Sequence, residues 1–352
     1  MNTPIVEFDQ LKAATDIEYA RFFKRLPSPT FIVYDAEFRT VLGSNPSITK
    51  VESRPKDQFA HEAGVYIKRT NKVYFTANFQ TSNPVECYAV DCKSHKVEVV
   101  KYNKVVQANG ACNYKDNILY CSQGDFNTES ALVEVDPISE VSKVLIDNFR
   151  GRSFNSINDV VIHYETGDIW FTDPTYGYEQ GFRPHPTLPS QVYRFTPSTG
   201  EVSCVADGFL QCNGLCFSPD HSKMYITDTA AYQAYSGPGD GHQVSVNFRN
   251  PATIYEYDVV DSGKKIIGRR TFAYSDNGVP DGIKCDVKGN VYSGCGDGIH
   301  VWNKDGSLIG KIHLGHLAAN FCFVPGGMWI MAEHTLYLVE MFSPGALVAI
   351  EC

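Results

Sequence analysis

The 352-residue sequence has no long apolar run, and no stretch approaches the roughly twenty apolar residues that a membrane-crossing helix needs. A secretory signal is not apparent either, since no basic segment followed by an apolar run occurs in the start, MNTPIVEFDQLKAATD. The sequence has no cluster of Lys and Arg and a formal net charge of −9, which argues against nucleic acid or a membrane surface as a partner. We expect a cytoplasmic protein.

The cysteines do not form a recognisable framework. There are 11 of them, an odd number, and they are scattered along the chain without the paired spacing of a zinc site. Four fall inside predicted strands, where a free cysteine behaves as a small apolar side chain; they are Cys112, Cys216, Cys285 and Cys322. We therefore expect reduced thiols, as in an intracellular protein.

Helix signals are few, whereas Gly, Tyr and Phe are plentiful, which suits short strands joined by tight turns. One pattern occurs six times: an acidic or amide residue opens a predicted strand, a turn follows, and an aromatic residue comes about a dozen residues after the start. We call these residues the openers; they are Glu62, Asn109, Asn158, Asn213, Asp281 and Asn320.

The openers recur at intervals of roughly forty to seventy residues, and each begins a unit of about four strands, as in the blades of a β-propeller. The sequence therefore predicts an all-β fold. It consists of one six-bladed β-propeller domain over residues 30–352 and a short N-terminal helical extension over residues 1–29. We expect a strand at 31–38 to complete the sixth blade and a polar connection at 40–60.

The openers are expected to meet, because the innermost strand of every propeller blade lines one central channel. Two long connections, at 174–190 and 229–251, follow second strands and so lie over the same end of the channel, where we expect walls or a lid. Asp173 and Asp228 end the two second strands that precede these connections, which suggests a repeated structural hydrogen bond.

Two openers are carboxylates and four are amides, an oxygen-rich set that suits a hard divalent cation. The alternative is that each opener merely caps a turn, since Asn-Asp, Asn-Gly and Asp-Gly pairs are frequent turn formers. Two buried carboxylates without a partner would be costly, however, and a cation removes that cost. Oxygen ligands favour Ca²⁺, with Mg²⁺, Mn²⁺ or Zn²⁺ as further candidates.

Several motifs together resemble the SMP-30/gluconolactonase/regucalcin family, and in particular its fungal lactonohydrolase-like branch. They are HEAGVY at 61–66, FNSINDVV at 154–161, IWFTDPTYGYEQGFRP at 169–184, NGLCFSPD at 213–220 and VPDGIKCDVKGNVYSGCGDGIHVW at 279–302. The resemblance implies a six-bladed propeller with one catalytic divalent metal at the channel mouth. It implies that the metal ligands are Glu62, Asn158, Asn213 and Asp281, and that Asp281 is also the catalytic base.

The same resemblance implies lactone hydrolysis, in which the metal polarises the lactone carbonyl and Asp281 accepts a proton from the attacking water. Further residues are candidates for substrate binding, with plain turn capping or surface exposure as the alternative. These candidates are Asn109, Tyr176, Tyr178, Arg183, His185, His316 and Asn320. Arg183 could neutralise a substrate carboxylate.

Two other functions fit the same sequence. Fungal propellers of this branch occur in secondary-metabolite pathways, so the resemblance also admits a cyclisation such as a hetero-Diels–Alder reaction on an apolar intermediate. The remaining hypothesis is a non-catalytic binding propeller in which calcium is only structural. The sequence does not choose between these functions, and it does not indicate an oligomeric state.

Overall fold

Each repeat forms one antiparallel sheet, and the computed structural model describes residues 3–10, 15–81, 84–236 and 242–347. Six such sheets follow one another around a ring, each touching the next and the sixth touching the first. The predicted six-bladed β-propeller is thus confirmed. We number the blades in chain order from the first opener.

The blades share one plan of four strands from the channel outward, which follow chain order in blades 1 to 5, whereas the outer strand of blade 6 comes from the N-terminal part of the chain. Blade 1 contains Glu62–Ile67, Lys72–Thr76, Cys87–Asp91 and Val97–Val100. Blade 2 contains Ala108–Tyr114, Asn117–Ser122, Ala131–Val135 and Ser142–Ile146. Blade 3 contains Val160–His163, Asp168–Asp173, Gln191–Thr196 and Glu201–Ala206. Blade 4 contains Cys212–Phe217, Lys223–Asp228, Thr253–Val260 and Lys265–Tyr274. Blade 5 contains Ile283–Cys285, Val291–Cys295, Gly298–Trp302 and Leu308–His313. Blade 6 contains Asn320–Val324, Gly327–Ala332, Thr335–Glu340 and Ser47–Ser53.

The N-terminal part of the chain closes the ring in a way that the sequence analysis did not foresee. Ser47–Ser53 pairs antiparallel with Thr335–Glu340 and is the outer strand of blade 6. The segment expected in that place is split: Thr30–Val33 extends blade 5 by pairing with its fourth strand, and Ala36–Leu42 is a helix. The expected closure by 31–38 and the expected connection at 40–60 are therefore wrong.

Local chemistry explains this difference. The helix begins after Asp35, whose side chain accepts a hydrogen bond from the Glu37 amide, as an N-cap residue does. Its buried Phe38 occupies the space over Gly310, where a Cβ atom would lie 2.0 Å from the Phe38 ring. Because Gly310 of blade 5 has no side chain, the ring of Phe38, the last residue of the expected strand, packs directly on its backbone.

The remaining elements lie outside the blades. Two hairpins are formed by Asn148–Phe149 with Arg152–Ser153 and by Tyr232–Ser236 with His242–Val246. The other helices are Asp16–Arg25 and Tyr176–Glu179, and Ile5–Glu7 lies parallel to Thr30–Val33 as a further strand on blade 5. No helix in the described part of the chain is long and apolar enough to cross a membrane.

The core lies between adjacent sheets, where aromatic rings meet edge to face. Trp170 of blade 3 contacts Phe217 of blade 4 with ring centroids 5.7 Å apart, and Tyr292 of blade 5 contacts Phe323 of blade 6 at 5.1 Å. Such pairs add about 0.5–1.5 kcal/mol to the burial of their area. The four strand cysteines singled out above are buried in this core, as predicted.

Two carboxylates fix the segments that lead into blades 3 and 4. Asp173 accepts hydrogen bonds from the amides of Asn155 and Ser156, each at 2.9 Å. Asp228 accepts the equivalent bonds from residues 210 and 211, at 3.1 and 3.0 Å. The predicted repeated hydrogen bond is confirmed, and it holds the chain two or three residues before the openers Asn158 and Asn213.

Candidate active site

The openers meet at one end of the channel because small residues let neighbouring blades approach there. A Cβ atom on Gly110 would lie 2.5 Å from the carbonyl oxygen of Asn158, and one on Gly214 would lie 2.5 Å from that of Asp281. These distances are shorter than any real Cβ contact. The glycine that follows an opener therefore allows the next opener to come close.

Threonine hydroxyls fasten the openers to the preceding blade. Each of three threonines near the end of a second strand donates to the main-chain carbonyl of the next opener, at 2.7–3.1 Å. The pairs are Thr76 with Asn109, Thr172 with Asn213, and Thr227 with Asp281. A threonine of the preceding blade thus fixes the backbone of an opener, and the glycine after an opener leaves room for the next one.

Above the openers lies a cavity of about 240 Å³. It contains the four residues expected to bind metal together with Asn109. The two long connections form part of its wall, as expected, through Tyr176 and Gln180 from the first and Thr229 and Tyr232 from the second; residues 237–241 of the second lie outside the described chain. The complete lining is Gln58, His61, Glu62, Asn78, Phe79, Gln80, Asn109, Gln123, Asn158, Tyr176, Gln180, Asn213, Thr229, Tyr232, Val279, Asp281, Leu317 and Glu333.

Several oxygen atoms in the cavity are buried without a donor. Oδ1 of Asn158 and Oδ1 of Asp281 accept no hydrogen bond from any residue that the structure describes. Glu62 is 2 % exposed, and one of its oxygens accepts a 2.7 Å bond from the side-chain amide of Asn320. Asn320 is outside the cavity lining, so its expected substrate contact is not found, and its side chain instead orients Glu62.

The two carboxyl groups share a low-dielectric space. Burial raises the pKa of Asp281 to about 6, and burial together with the charge of Asp281 raises the pKa of Glu62 well above its ordinary value. Burial is the largest cause of each shift, so both shifts express the cost of holding a negative charge away from water. A cation between them would remove that cost.

The donor set fits a hard divalent cation. Glu62 and Asp281 supply carboxylate oxygens, and Asn158 and Asn213 supply amide oxygens, which are the ligands that Ca²⁺ takes. Among the described residues, no group of three or more His, Cys, Asp or Glu side chains is arranged to hold a metal. A calcium site here must therefore rely on the asparagines, and two of its oxygens already lack a competing donor.

Sequence analysis missed a polar group at the rim of the cavity. Nδ1 of His61 lies 2.7 Å from Glu333, and Asn78 donates to the other oxygen of Glu333 at 3.3 Å. Burial lowers the pKa of His61, but the charge of Glu333 and the hydrogen bond to it, together with the charges of Glu62 and Asp281, outweigh burial and raise the pKa to about 10. Glu333 comes directly after the second strand of blade 6, at the repeat position that Asp173 occupies at the end of its own second strand, so its position in the repeat could have identified it.

Arg183 does not have the environment that the sequence analysis expected. It is 4 % exposed, lies outside the cavity lining, and donates five hydrogen bonds within the protein. The acceptors are the carbonyls of Asp125, Thr128, Phe154 and Asn155 and the carboxylate of Glu129. Its guanidinium is therefore a structural clamp and has no free donor for a substrate carboxylate.

Three further candidates also lie outside the cavity lining. Tyr178 is 46 % exposed and packs on the exposed His185, with ring centroids 4.9 Å apart. His316 is exposed and lies 2.9 Å from the hydroxyl of Tyr337, while its neighbour Leu317 faces the cavity. The expected pocket contacts of Tyr178, His185 and His316 are thus not found.

Fold and cavity together define a class of protein: a six-bladed propeller with carboxylates and amides converging at one mouth of the channel. The sequence profile of the SMP-30/Gluconolactonase/LRE-like region matches residues 60–252 and 250–339. The chain therefore belongs to the SMP-30/gluconolactonase/LRE-like family, and the resemblance drawn from its motifs is confirmed.

Individual relatives agree with this assignment. The lactonohydrolase oryL of Aspergillus oryzae is 31% identical over 313 residues, which cover 86% of this chain and 71% of the relative. A gluconolactonase structure from Xanthomonas campestris has a TM-score of 0.70 at 23% identity and covers 90% of this chain and 99% of its own. A calcium-binding regucalcin from Agrobacterium tumefaciens has a TM-score of 0.62 at 15% identity, covering 83% and 95%.

Proposed function

We propose that the protein is a calcium-dependent lactone hydrolase. The observation that carries the proposal is the pair of unpartnered buried oxygens, Asn158 Oδ1 and Asp281 Oδ1, in the cavity that also contains Glu62. The lactonohydrolase and gluconolactonase relatives supply the reaction type, and the regucalcin supports the choice of calcium. The ligands in this proposal are Glu62, Asn158, Asn213 and Asp281.

Calcium, when bound, supplies positive charge that polarises the lactone carbonyl and stabilises the negative charge that develops on its oxygen. Asp281 takes a proton from the attacking water, whose oxygen bonds to the carbonyl carbon. The ring C–O bond then breaks, the proton passes to the departing alkoxide oxygen, and a hydroxy acid results. Asn320 keeps Glu62 in place, and Asn109 is positioned to hydrogen bond with the substrate or with water.

The test is proton release from glucono-δ-lactone and from δ-valerolactone, measured in a pH-stat with metal-stripped protein and after addition of Ca²⁺. We expect turnover that requires Ca²⁺ and a loss of at least about a hundredfold in kcat for Asp281→Asn, since a general base contributes about 10²–10⁴. Asp305→Asn makes the same chemical change on an exposed turn and should retain wild-type turnover.

The other outcomes identify the competing functions. A pathway intermediate that isomerises without a change of mass indicates a cyclase, because hydrolysis adds the mass of one water. The two connections that carry Tyr176 and Tyr232 give that function its support, as aromatic walls suit an apolar intermediate. Calcium binding without turnover of any lactone or intermediate indicates a structural calcium site. Wild-type lactone turnover in Asp281→Asn would disprove the proposed base.

A further inference from the structure

The cavity is chemically two-sided. Beyond the openers, the side of blades 1 to 3 contributes a series of amides to the lining, whereas the side of blades 4 to 6 contributes a set of apolar side chains beside Thr229 and Glu333. The amides are Gln58, Asn78, Gln80, Gln123 and Gln180, and the apolar surface consists of Tyr232, Val279 and Leu317. We call the second group the apolar arc.

Within the described residues, no hydrophobic cluster covers the cavity side of the apolar arc. Val279 packs on Ala231 and Ala252 on one side and faces the cavity with the other. Leu317 is half-buried and Tyr232 is 38 % exposed, and within the described chain neither belongs to a hydrophobic cluster. Covering such surface with a ligand contributes about 25 cal/mol per Å² removed from water.

The opposite wall requires a hydrogen-bond donor. Gln123 is 2 % exposed, its amide nitrogen donates to the Gln107 carbonyl, and its Oε1 accepts no bond from any described residue. A buried acceptor left unpaired costs about 1–3 kcal/mol. Gln123 belongs to blade 2, and a six-blade ring places blade 2 across the channel from blade 5, which carries Asp281.

The charges of the lining residues further limit the kind of ligand that the cavity can bind. No Lys or Arg of the described residues lines the cavity, whereas Glu62, Asp281 and Glu333 do. The cationic His61 in the lining is already paired with Glu333, so an anionic ligand would depend mainly on the bound cation. The aromatic residues on the amide side are Phe79 and Tyr176, and Phe79 lies beside Phe182 with ring centroids 6.3 Å apart.

We propose that the substrate is a neutral amphiphilic lactone: an alkyl substituent on the lactone ring lies on the apolar arc, and a hydroxyl on the other side donates to Gln123 Oε1. This inference rests on the proposed lactone hydrolysis and adds a substrate class to it. A sugar lactone that carries hydroxyls all round would leave the apolar arc uncovered and place a polar group against Leu317.

The first experiment compares kcat/KM for δ-decalactone, which carries a pentyl group, with that for unsubstituted δ-valerolactone and for glucono-δ-lactone. The calcium-loaded wild type should prefer δ-decalactone by at least about tenfold, the discrimination that contacts in an apolar pocket supply. Leu317→Asn and Val279→Thr, which keep the branching of the side chain, should each reduce that preference by lowering kcat/KM for δ-decalactone more than for δ-valerolactone. Leu210→Asn changes an equally apolar residue that is 55 % exposed and outside the cavity, and it should alter nothing.

The second experiment separates this inference from the proposed reaction. The δ-lactam analogues of the same two compounds are measured by calorimetry, because binding does not require turnover. We expect the pentyl lactam to bind at least about tenfold more tightly than δ-valerolactam, and Leu317→Asn to abolish the difference. If no lactone is hydrolysed but this difference appears, the hydrolase proposal falls and the apolar subsite stands. Equal affinity of the two lactams, or a preference unchanged in both variants, overturns the subsite.

Discussion

The glycines after the openers are the residues on which the geometry of the site depends most directly. A methyl group on Gly214 would lie 2.5 Å from the carbonyl oxygen of Asp281, which is main chain and cannot rotate away. The contact is therefore relieved only by moving the backbone that carries Asp281 away from Asn213. Two proposed calcium ligands would separate.

We therefore expect Gly214→Ala to weaken calcium binding at least about tenfold and to destabilise the protein by about 1–3 kcal/mol, the usual cost of overpacking. Calorimetric titration with Ca²⁺ and thermal melting measure the two effects separately. Gly326→Ala is the control, because Gly326 has a φ of 84° but no atom within 4 Å of the added methyl group. It should lower Tm through backbone strain and leave calcium affinity unchanged. Equal calcium affinity in Gly214→Ala would show that the glycine does not set the ligand spacing.

Among individual residues, those that recur in every repeat could be predicted from the sequence, whereas those whose role depends on contacts between distant segments could not. The openers were predictable because six copies in one register exceed what turn formation explains. Arg183 was misjudged, since nothing in its local sequence shows that five acceptors from distant segments surround it. His61, Asn78 and Glu333 form a group only after blades 6 and 1 meet, and that contact depends on closure of the ring.

Among the elements, the blades were predictable and the closure was not. Alternating strands and turns identify a blade locally, whereas the choice between Thr30–Val33 and Ser47–Ser53 as the closing strand depends on which sheet edge each one fits. The packing of Phe38 on Gly310 favours pairing of Thr30–Val33 with blade 5. This contact joins residues far apart in sequence, so local patterns do not reveal it. The helix Asp16–Arg25 was foreseen within the N-terminal extension, but the strand Ile5–Glu7 was not.

That helix covers a buried charge cluster on blade 5. Lys311 is 1 % exposed, and its Nζ lies 2.7 Å from Asp276 and 3.3 Å from Asp297. Tyr19 of the helix hydrogen bonds to Asp276 as well. Burial alone would raise the pKa of Asp297, but hydrogen bonds from His300 and His313 and the charge of Lys311 lower it far below its ordinary value.

The cluster should make stability depend on pH. A carboxyl whose pKa is lower in the folded state contributes stability above its unfolded pKa of about 4, and this stability is lost as the pH falls below that value. Lys311→Met removes the cation from buried Asp297 and from the more exposed Asp276, which keep their histidine and tyrosine partners, so we expect a loss of about 1.5–3 kcal/mol at pH 7, the worth of a hydrogen bond to a charged group. The difference in Tm from the wild type should shrink between pH 4 and pH 3. Thermal melts across pH 7 to 3 measure it, with Lys304→Met, at an exposed turn, as the control. A deficit that stays constant down to pH 3 would contradict this account.

For the whole molecule, the proposed calcium site differs from a local chelating loop because its ligands come from four blades. Glu62 belongs to blade 1, Asn158 to blade 3, Asn213 to blade 4 and Asp281 to blade 5. The site therefore exists only when the ring is closed. A ligand that binds the folded state alone stabilises it by mass action, by about 2.7 kcal/mol at a concentration one hundred times its Kd.

Removal of calcium should consequently lower the melting temperature of the entire ring. With about 2–4 °C per kcal/mol for chains of 150–250 residues, and somewhat less for a longer chain, we expect a decrease of roughly 5 °C in EDTA, reversed by excess Ca²⁺. Differential scanning fluorimetry with and without Ca²⁺ measures the shift. Glu62→Gln removes one ligand charge and should reduce the shift, whereas Glu165→Gln, on an exposed turn of blade 3, should preserve it. If the Tm of the wild type does not respond to calcium, the four proposed ligands do not bind the ion. This conclusion would hold whether or not the protein hydrolyses lactones.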